Sequence, residues 1–303
     1  MKLSSDILKQ LAAKAKGQCR FSEPMSRHTS FRIGGPADLL VIPADEADLQ
    51  NLLAGIHKSR IPYMVLGNGT NLLVLDGGIR GVVIKITAGF RQMDRKENTL
   101  KVGAGYALPR LVEGSAEMSL AGLEWGVGIP GSVGGALLMN AGAYGGQMSD
   151  IVKKVWGFAR SGDRLTLRPG QINFGYRHSE YPDGFVIAGA ELEMQAGKKA
   201  RIKSAMEQWM AKRQRNQPLS LPSAGCIFKN PANDSARRLI GVAGLKGKKV
   251  GGAKVSSKHA NFIINDGGAN AADVLRLIGI IKERTYKTIG IELTPEVKTV
   301  GEP

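Results

Sequence analysis

The sequence holds few residues of several types, and each shortage excludes a class of protein. Two cysteines in 303 residues cannot form a disulfide framework, so Cys19 and Cys226 are expected to be free thiols in a reducing cytoplasm. No run of about 18 apolar residues is present to span a membrane, and the lysine-containing N-terminal stretch predicts no secretory signal. The four histidines show no metal-ligand spacing, and neither H-E-x-x-H nor paired C-x-x-C occurs, so no metal is expected.

Acidic residues are also scarce: 26 stand against 42 lysines and arginines, which gives a net charge of +16. Such a charge suits either a nucleic acid or a multiply anionic small molecule, and a solvated basic surface is the third interpretation. Aromatic residues make up 6% of the chain, with no regularly spaced row on which bases could stack. The net charge is therefore the only feature that supports nucleic-acid binding. Neither a nucleic acid nor a membrane is the expected partner.

Hydrophobic periodicity predicts an α+β chain. Five helices are expected: one in the first 20 residues, with Ile7, Leu8 and Leu11 on one face, and four over "ADEADLQNLLAGIHKSR", "ARIKSAMEQWMAKRQRNQ", "DSARRLIGVAG" and "AADVLRLIGIIKERTYKTIG". Asn270 is the expected N-cap of the last one. Between them lie β-rich runs, and the two prolines of "PLSLPSAG" mark a domain junction. Three units are predicted, over residues 1–85, 86–215 and 216–303.

Two glycine-rich segments carry the strongest local signal. "GVGIPGSVGGALLMNAGAYGG", residues 126–146, contains eight glycines and matches G-x-G-x-x-G. A Rossmann turn is disfavoured, because no β-branched strand precedes it and because Gly134 and Gly135 are expected to interrupt any helix there. No Lys-Ser or Lys-Thr follows the glycines, which excludes a Walker A loop.

The second segment is "VLGNGTNLLV", in which Gly67–Asn71 follows a predicted strand. Bare backbone at glycines can form concave nests of N–H groups that bind anions. Two such nests would suit the pyrophosphate of a dinucleotide cofactor, whereas two tightly packed structural turns are the alternative. The pair of segments favours the cofactor.

Seven ordered motifs then extend from Thr29 to the C-terminus: "TSFRIGGPADLLVIP", "LGNGTNLLV", "GIPGSVGGALLMNAGAYGG", "FGYRHSEY", "PSAGCIFKNP", "GGAKVSSKHANFIIN" and "LTPEVKTVG". Together they resemble the UDP-N-acetylenolpyruvoylglucosamine reductase (UDP-N-acetylmuramate dehydrogenase) family. The resemblance implies an FAD-binding fold of the vanillyl-alcohol-oxidase (PCMH) type, made of two α+β subdomains, with a smaller C-terminal α+β domain for the UDP-sugar. Only seven residues separate Arg177 from Phe185, so the chain resembles the shorter class, which lacks an inserted substrate-covering loop.

The activity implied by the resemblance is a cytoplasmic step of peptidoglycan synthesis. NADPH would reduce FAD, and the flavin would reduce UDP-N-acetylglucosamine enolpyruvate to UDP-N-acetylmuramate, with hydride added at C3 and a proton at C2. A monomer is expected. The alternative within enzymes is an FAD-dependent oxidase or dehydrogenase of the same fold with another substrate, and "PSAGCIFKNP" and "LTPEVKTVG" argue against it.

Three catalytic residues follow from the matched motifs. Arg177 would bind the substrate carboxylate as it gains charge, and Glu296 would share that charge; read alone, Arg177 would be a surface partner of Glu180. Cys226 stands where many members carry serine. A thiol is a stronger acid than an alkyl hydroxyl, so Cys226 is the expected proton donor to C2. A buried apolar cysteine and a covalent nucleophile are its alternatives.

The resemblance also implies the binding residues. The cofactor contacts are expected at Arg32, Gly34, Gly67, Asn68, Gly69, Thr70, Asn71, Gly128, Ile129, Pro130, Gly131, Ser132, Gly134, Gly135, Asn140 and Gly142. Asn230, Lys254 and His259 are expected to contact the phosphates and carboxylate of the UDP-sugar, and a structural role is the equal alternative for His259.

Overall fold

The computed structural model describes residues 5–303, and in this range the chain forms seven α-helices. They are α1 (Ser5–Lys14), α2 (Glu46–Lys58), α3 (Leu108–Glu117), α4 (Val133–Leu138), α5 (Lys199–Asn216), α6 (Ala236–Val242) and α7 (Ala271–Ile289). Five of them, α1, α2, α5, α6 and α7, coincide with helices that the hydrophobic periodicity predicts.

The same residues form 21 β-strands. These are β1 (Gln18–Pro24), β2 (Pro36–Ile42), β3 (Tyr63–Leu66), β4 (Leu72–Val74), β5 (Ile79–Lys85), β6 (Met93–Lys96), β7 (Thr99–Gly103), β8 (Leu120–Ala121), β9 (Gly142–Ala143), β10 (Gly146–Gln147), β11 (Val152–Phe158), β12 (Arg164–Leu167), β13 (Asn173–Gly175), β14 (His178–Glu180), β15 (Val186–Glu193), β16 (Gln195–Ala196), β17 (Ser223–Cys226), β18 (Lys249–Val250), β19 (Ala253–Val255), β20 (Phe262–Asn265) and β21 (Lys298–Val300). The larger sheets have the strand orders β1-β2-β5-β3, β12-β11-β15-β7-β6 and β17-β20-β19-β18, and β4 pairs with β21 in parallel. The predicted α+β class is confirmed.

The chain divides into two compact units. The first unit holds the residues up to Phe21 together with Leu39–Asn68 and Gly81–Ala211, and the second holds Ser22–Asp38, Gly69–Arg80 and Lys212–Pro303. Each unit has its own hydrophobic core. The three units expected from the sequence, over 1–85, 86–215 and 216–303, stay a prediction, and residues 1–4 of the first lie outside the described part.

The central sheet of the first unit is built around β15, which is buried continuously from Val186 to Ala190. Gly189 of β15 pairs with Trp156 of β11, and a Cβ atom at Gly189 would lie 2.1 Å from the indole. The indole therefore fills the space that the glycine leaves. Its Nε1 donates to Glu46 Oε1 at 2.8 Å, which fixes α2 against the sheet.

In the second unit, α6 and α7 contribute to the core beside the antiparallel sheet β17-β20-β19-β18. Asn270 caps α7 as predicted: its side chain accepts a hydrogen bond from Asp273 N at 2.8 Å. Asp76, which follows β4, accepts two more from the first residues of the helix, Ala271 N at 2.9 Å and Ala272 N at 3.1 Å. Four N–H groups begin a helix without partners inside it, and these carboxylate and amide oxygens satisfy three of them.

One local prediction is wrong: Gly134 and Gly135 do not interrupt a helix but lie within α4. Ser132 caps this helix, its Oγ accepting a hydrogen bond from Gly135 N at 3.4 Å. Gly134 packs so closely against β7 that a Cβ atom would lie 2.9 Å from Ala104 Cβ. Tertiary packing thus offsets the helix-breaking tendency of glycine, which costs about 1 kcal/mol relative to alanine.

Candidate active site

The two glycine-rich segments meet inside the first unit. Gly67, which follows β3, lies against the start of α4, where a Cβ atom at Gly67 would stand 2.3 Å from Ser132 Oγ. Ser132 is 2% exposed, and its hydroxyl is already engaged as the N-cap of α4. The backbone of the first segment is therefore in close contact with the second segment. A displacement of either segment, or an added side-chain atom at Gly67, would disturb the other segment.

The remainder of the first segment packs in the second unit. Gly69 has a φ of +62°, and a Cβ atom there would lie 2.2 Å from the carbonyl oxygen of His28. The loop before β2 holds two further predicted cofactor contacts: Arg32 is exposed with a φ of +56°, and Gly34 has a φ of +138° with Val74 directly beside it. Glycine alone takes such conformations without strain.

Within the second segment, the glycines fall into two groups. Gly128 and Gly131 have φ values of +68° and +139° and form the turn before α4. Gly134 and Gly135 instead use their N–H groups inside the protein: Gly134 N donates to Ala104 O at 2.8 Å, and Gly135 N donates to the capping serine. Bare backbone suited to phosphate oxygens is therefore expected before α4 rather than within it.

The backbone geometry of these two segments fits a flavin dinucleotide. Gly69 in the first segment and Gly128 and Gly131 in the second have positive φ, and at Gly67 and Gly69 an added Cβ atom would collide with neighbouring protein. Of the remaining predicted contacts here, Asn68 and Pro130 are exposed, and Thr70 and Ile129 are half-buried. Turns with glycine backbone can bind a pyrophosphate through their N–H groups, and contact of these residues with a cofactor stays a prediction.

Arg177 lies at the tip of a hairpin formed by β13 and β14. Gly175 pairs with His178, so Tyr176 and Arg177 form a two-residue turn, and Arg177 has a φ of +56°. Its guanidinium stands 5.1 Å from the centre of the Tyr176 ring. Glu180, the partner expected if Arg177 were only a surface residue, accepts hydrogen bonds from Asn173 and pairs with His178, which lowers the pKa of its carboxyl group.

Asn140 supports this hairpin from the loop after α4. It is 1% exposed with a φ of +40°, its Nδ2 donates to Gly175 O at 3.0 Å, and its Oδ1 accepts from Ser149 N at 3.0 Å. Gly142 is also buried, and a Cβ atom there would lie 2.6 Å from Gly146 O. The structure thus places Asn140 in the support of the Arg177 turn and packs Gly142 against Gly146 of β10, and contact of either residue with a cofactor stays a prediction.

Cys226 ends β17 next to a break in strand register. Gly225 has a φ of +75°, and the pairing with β20 shifts between Ser223 and Cys226, which lies opposite Phe262. On the next strand, Lys254 lies opposite Ile264. Side chains alternate across a sheet, so Cys226 and Lys254 stand on the same face, the one that carries Phe262.

Glu296 is hydrogen-bonded through its backbone to Ile227, the residue that follows Cys226. Glu296 N donates to Ile227 O at 2.8 Å, and Asn71 Nδ2 donates to Glu296 O at 3.3 Å. Phe228 forms an isolated bridge with Pro295. Both catalytic candidates of the second unit, half-buried on adjacent segments, are therefore brought together although 70 positions separate them in sequence.

Two of the predicted substrate contacts have partners within the protein. Lys254 lies 3.7 Å from Asp266 Oδ2, a partly exposed ion pair of the kind that adds little stability. Asn230 is exposed, and its Oδ1 accepts a hydrogen bond from Ala236 N at 3.1 Å at the start of α6. Its Nδ2 group has no role in that bond.

His259 packs beside Cys226's strand partner. Its ring meets Phe262 edge-on at 4.7 Å between centroids, and Nδ1 is buried without a hydrogen-bond partner. Burial, together with the charge of nearby Arg237, lowers the pKa of His259 to about 4. The imidazole is therefore neutral near pH 7, and it can offer a substrate a hydrogen bond but no charge.

This shift predicts a pH dependence of stability. The unfolded histidine takes up a proton near pH 6.5 while the folded one resists until about pH 4, so the free energy of unfolding should fall over that interval, by about 3 kcal/mol at most. We expect His259→Gln to flatten this part of the profile in urea unfolding measured at several pH values. His57→Gln, at an exposed position of α2, is the control and should leave the wild-type slope. Parallel profiles for wild type and His259→Gln would contradict the assignment.

Two residues that support the site lie within the matched motifs but were not predicted as site residues. Ser179 is buried, and its Oγ donates to Leu137 O at 2.8 Å, which ties the Arg177 hairpin to α4. Asn261 is 2% exposed and hydrogen-bonds the segment after Cys226. The signal in each case was a polar residue inside a run whose neighbours are predicted to be buried.

Other features lie away from these residues. A cavity of about 560 Å³ near the start of α5 is lined by Ala121, Glu124, Ala196, Gly197, Lys198, Arg201 and Ile202, none of them a predicted site residue. Over residues 5–303 no three His, Cys, Asp or Glu side chains are grouped to hold a metal ion. In that same range no helix has both the length and the apolar character to cross a bilayer.

Two family models match the chain. Residues 37–168 match an FAD binding domain, and residues 217–300 match the C-terminal domain of UDP-N-acetylenolpyruvoylglucosamine reductase. Both glycine segments and Asn140 fall within the first match, and Cys226 and Glu296 fall within the second.

Similar proteins cover nearly the whole chain. The UDP-N-acetylenolpyruvoylglucosamine reductase of Heliobacterium modesticaldum is 45% identical over 97% of this chain and 94% of its own length. The reductase of the same name from Clostridioides difficile is 44% identical over 95% of each. Among solved structures, UDP-N-acetylenolpyruvylglucosamine reductase (MurB) from Thermus caldophilus matches with a TM-score of 0.81 and 38% identity, covering 94% of this chain and 98% of that one.

Proposed function

This chain belongs to the family of UDP-N-acetylenolpyruvoylglucosamine reductases, and from that premise we propose that Arg177, Cys226 and Glu296 carry the reduction of the enolpyruvyl group. The protein is an FAD-containing oxidoreductase that uses NADPH to convert UDP-N-acetylglucosamine enolpyruvate to UDP-N-acetylmuramate in peptidoglycan synthesis. Its FAD-binding fold is of the vanillyl-alcohol-oxidase type.

One observation supports the assignment more than any other. The backbones of Cys226 and Glu296 are joined through Ile227, whose carbonyl oxygen accepts a hydrogen bond from Glu296 N at 2.8 Å. The thiol that donates a proton and the carboxyl group that stabilises the negative charge must both face the same small substrate. This backbone hydrogen bond places their segments side by side.

When bound, FAD would supply the hydride, which comes from NADPH and is added at C3 of the enolpyruvyl group. Negative charge then develops on the substrate carboxylate. Arg177 offers a planar fork of N–H donors to that carboxylate, and its ring contact with Tyr176 orients the guanidinium. Glu296, when protonated, donates a hydrogen bond to the same charge. Cys226 transfers its Sγ proton to C2, and the thiolate is reprotonated from solvent, to which the half-buried side chain has access.

The remaining residues bind and orient. The backbone of Gly67–Asn71 and of Gly128–Ser132 would hold the pyrophosphate of FAD, with Arg32 and Gly34 on the loop before β2. On the substrate side, Lys254 exchanges Asp266 for a phosphate or carboxylate, Asn230 donates through its Nδ2, and His259 contributes a neutral hydrogen bond.

The glycine contact gives a prediction about the cofactor. In Gly67→Ala the new methyl group would collide with Ser132 Oγ, displace the cap of α4 and push the loop outward. We expect the Kd for FAD to rise about fivefold or more, since loss of the cap alone costs about 1 kcal/mol. Titration of the apoprotein, followed by quenching of flavin fluorescence, measures it.

The matched control for that titration is Gly170→Ala, an exposed glycine with no heavy atom within 4 Å of the added Cβ. It should bind FAD as the wild type does. If Gly67→Ala also bound FAD with unchanged affinity, the first glycine segment would not be part of the cofactor site.

The experiment that tests the proposal is anaerobic stopped-flow absorbance on the purified holoenzyme. NADPH is added to bleach the flavin band, and UDP-N-acetylglucosamine enolpyruvate is then mixed in to restore it. Recovery that depends on Cys226 and Arg177 would support the assignment. Bleaching and recovery that are unchanged in both alanine variants would remove these residues from the chemistry.

Further properties are part of the proposal. We expect the protein to act in the cytoplasm as a monomer, without a nucleic acid or membrane partner, and its positive charge to attract two polyanions, the UDP-sugar and NADPH. The connection between β14 and β15 comprises residues 181–185, in keeping with the shorter class. The boundaries at residues 85 and 215 remain proposed subdomain limits.

A further inference from the structure

Asn261 is a buried polar residue that makes three hydrogen bonds to the two residues after Cys226. Its backbone oxygen accepts from Ile227 N at 2.8 Å, its Oδ1 accepts from Phe228 N at 2.9 Å, and its Nδ2 donates to Phe228 O at 2.8 Å. Asn261 is 2% exposed, and Ile227 and Phe228 are each 1% exposed. Polar groups so deeply buried stay satisfied only if this set of bonds is complete.

The same short segment is bonded on its other side to the chain around Glu296. Ile227 O accepts from Glu296 N at 2.8 Å, and Lys229 N donates to Thr294 O at 2.9 Å. Asn261 therefore lies on one side of residues 227–228, and residues 294–296 lie on the other. Any displacement of this segment would move the Cys226 thiol and the Glu296 carboxyl group together.

An amide side chain is needed there because the ladder of β17 and β20 is irregular. The register shifts between Ser223 and Cys226, so the strand continues past a distortion that Gly225 permits with its φ of +75°. A carboxamide presents one donor and one acceptor in the geometry of a peptide group. The side chain of Asn261 thus hydrogen-bonds to the backbone of Phe228 as the peptide group of an additional strand residue would.

We propose that Asn261 is a positioning residue for the reduction step, acting through the placement of Cys226 and Glu296. The proposal rests on the function assigned above to those two residues. Asn261 touches neither substrate nor cofactor in this scheme, and it fixes the distance and direction from which the thiol and the carboxyl group approach the enolpyruvyl carbon.

Three variants of the holoenzyme test it in the two separate half-reactions. In Asn261→Ala, we expect flavin reduction by NADPH to stay within about threefold of wild type and enolpyruvyl reduction to slow about a hundredfold, the loss typical of a displaced catalytic group. Combined with Cys226→Ala, the same change should cost about tenfold or less, because the thiol is gone and only the placement of Glu296 remains to be lost. Asn270→Ala, which removes the N-cap of α7, is the control for lost stability and should leave both half-reactions unchanged.

The isosteric variant Asn261→Asp keeps the test valid if the alanine variant does not fold. Its carboxylate accepts from Phe228 N but cannot donate to Phe228 O, whereas its protonated form can do both. Burial favours the protonated form, so the deficit of this variant relative to wild type should shrink severalfold as the pH is lowered from about 8.5 to 6. A merely structural defect would not recover in this way.

The outcomes distinguish a failure of the positioning role from a failure of the proposed function. Equal losses in both half-reactions, independent losses in Asn261→Ala and Cys226→Ala, or a pH-independent deficit in Asn261→Asp would each overturn the positioning role and leave the proposed function standing. A wild-type rate of enolpyruvyl reduction in Cys226→Ala would overturn the proposed function itself, and the positioning role with it.

Discussion

Replacing Cys226 by alanine is expected to slow enolpyruvyl reduction by about a hundredfold to ten-thousandfold, the contribution typical of a general acid, while NADPH still reduces the flavin at close to the wild-type rate. The two half-reactions differ in whether they require a proton from the thiol. Hydride transfer to the flavin needs no proton from the protein at C2, whereas the second half-reaction is incomplete until C2 is protonated.

Cys226→Ser should retain much of the activity. A serine hydroxyl has nearly the same reach as the thiol and can also donate a proton. Because the hydroxyl is the weaker acid, its rate should fall below that of cysteine where proton transfer limits the second half-reaction. The ranking wild type, serine, alanine is therefore the expected order in single-turnover flavin reoxidation.

The control is the other cysteine. Cys19 is also half-buried, with Sγ 3.8 Å from Ala12 O in the first unit, and Cys19→Ala should change neither half-reaction. Rapid recovery of the flavin band in Cys226→Ala would assign the proton to another donor. A loss shared equally by both half-reactions would point to a defect in folding or in cofactor binding instead.

How far the sequence alone leads can be seen from particular residues. Asn270 was predictable as a cap because the signal is local: a short polar side chain just before a strongly periodic run. The proposed catalytic residues were identified through ordered motifs, since an isolated arginine, cysteine or glutamate carries no such signal. Their motifs also predicted the cofactor, which the family comparison confirms.

Other features depend on contacts between distant residues, and sequence patterns do not reach them. The helix α4 contains Gly134 and Gly135 because Ala104 and Ser132 hold its first turn. Likewise, Asn261 matters only because the register of β17 shifts at Cys226, some 35 positions earlier. Local propensity is overridden in both cases by packing that forms when the chain is folded.

Replacing Arg177 by alanine is expected to be the second large effect, a loss of about a hundredfold to a thousandfold in enolpyruvyl reduction, as for removal of a donor aimed at developing charge. The loss should concentrate in that half-reaction, because the carboxylate gains charge only when hydride reaches C3. A residue that merely bound substrate would instead raise KM and leave the rate at saturation unchanged.

Arg177→Lys separates charge from geometry. Lysine keeps the positive charge but offers a single ammonium in place of a planar fork, and it loses the flat contact with Tyr176 that orients the guanidinium. We expect an intermediate rate, nearer to alanine than to arginine, since two parallel hydrogen bonds to a carboxylate cannot be formed from one nitrogen.

Arg160 provides the matched control, because its guanidinium also lies over a tyrosine ring, 5.8 Å from the centre of Tyr63. Arg160→Ala removes an equivalent surface contact in the same unit and should leave both half-reactions within about twofold of wild type. Saturation kinetics on the reduced enzyme then decide the role of Arg177. A fall in the limiting rate with little change in KM establishes that it stabilises developing charge, and a rise in KM at an unchanged limiting rate would reduce it to a binding contact.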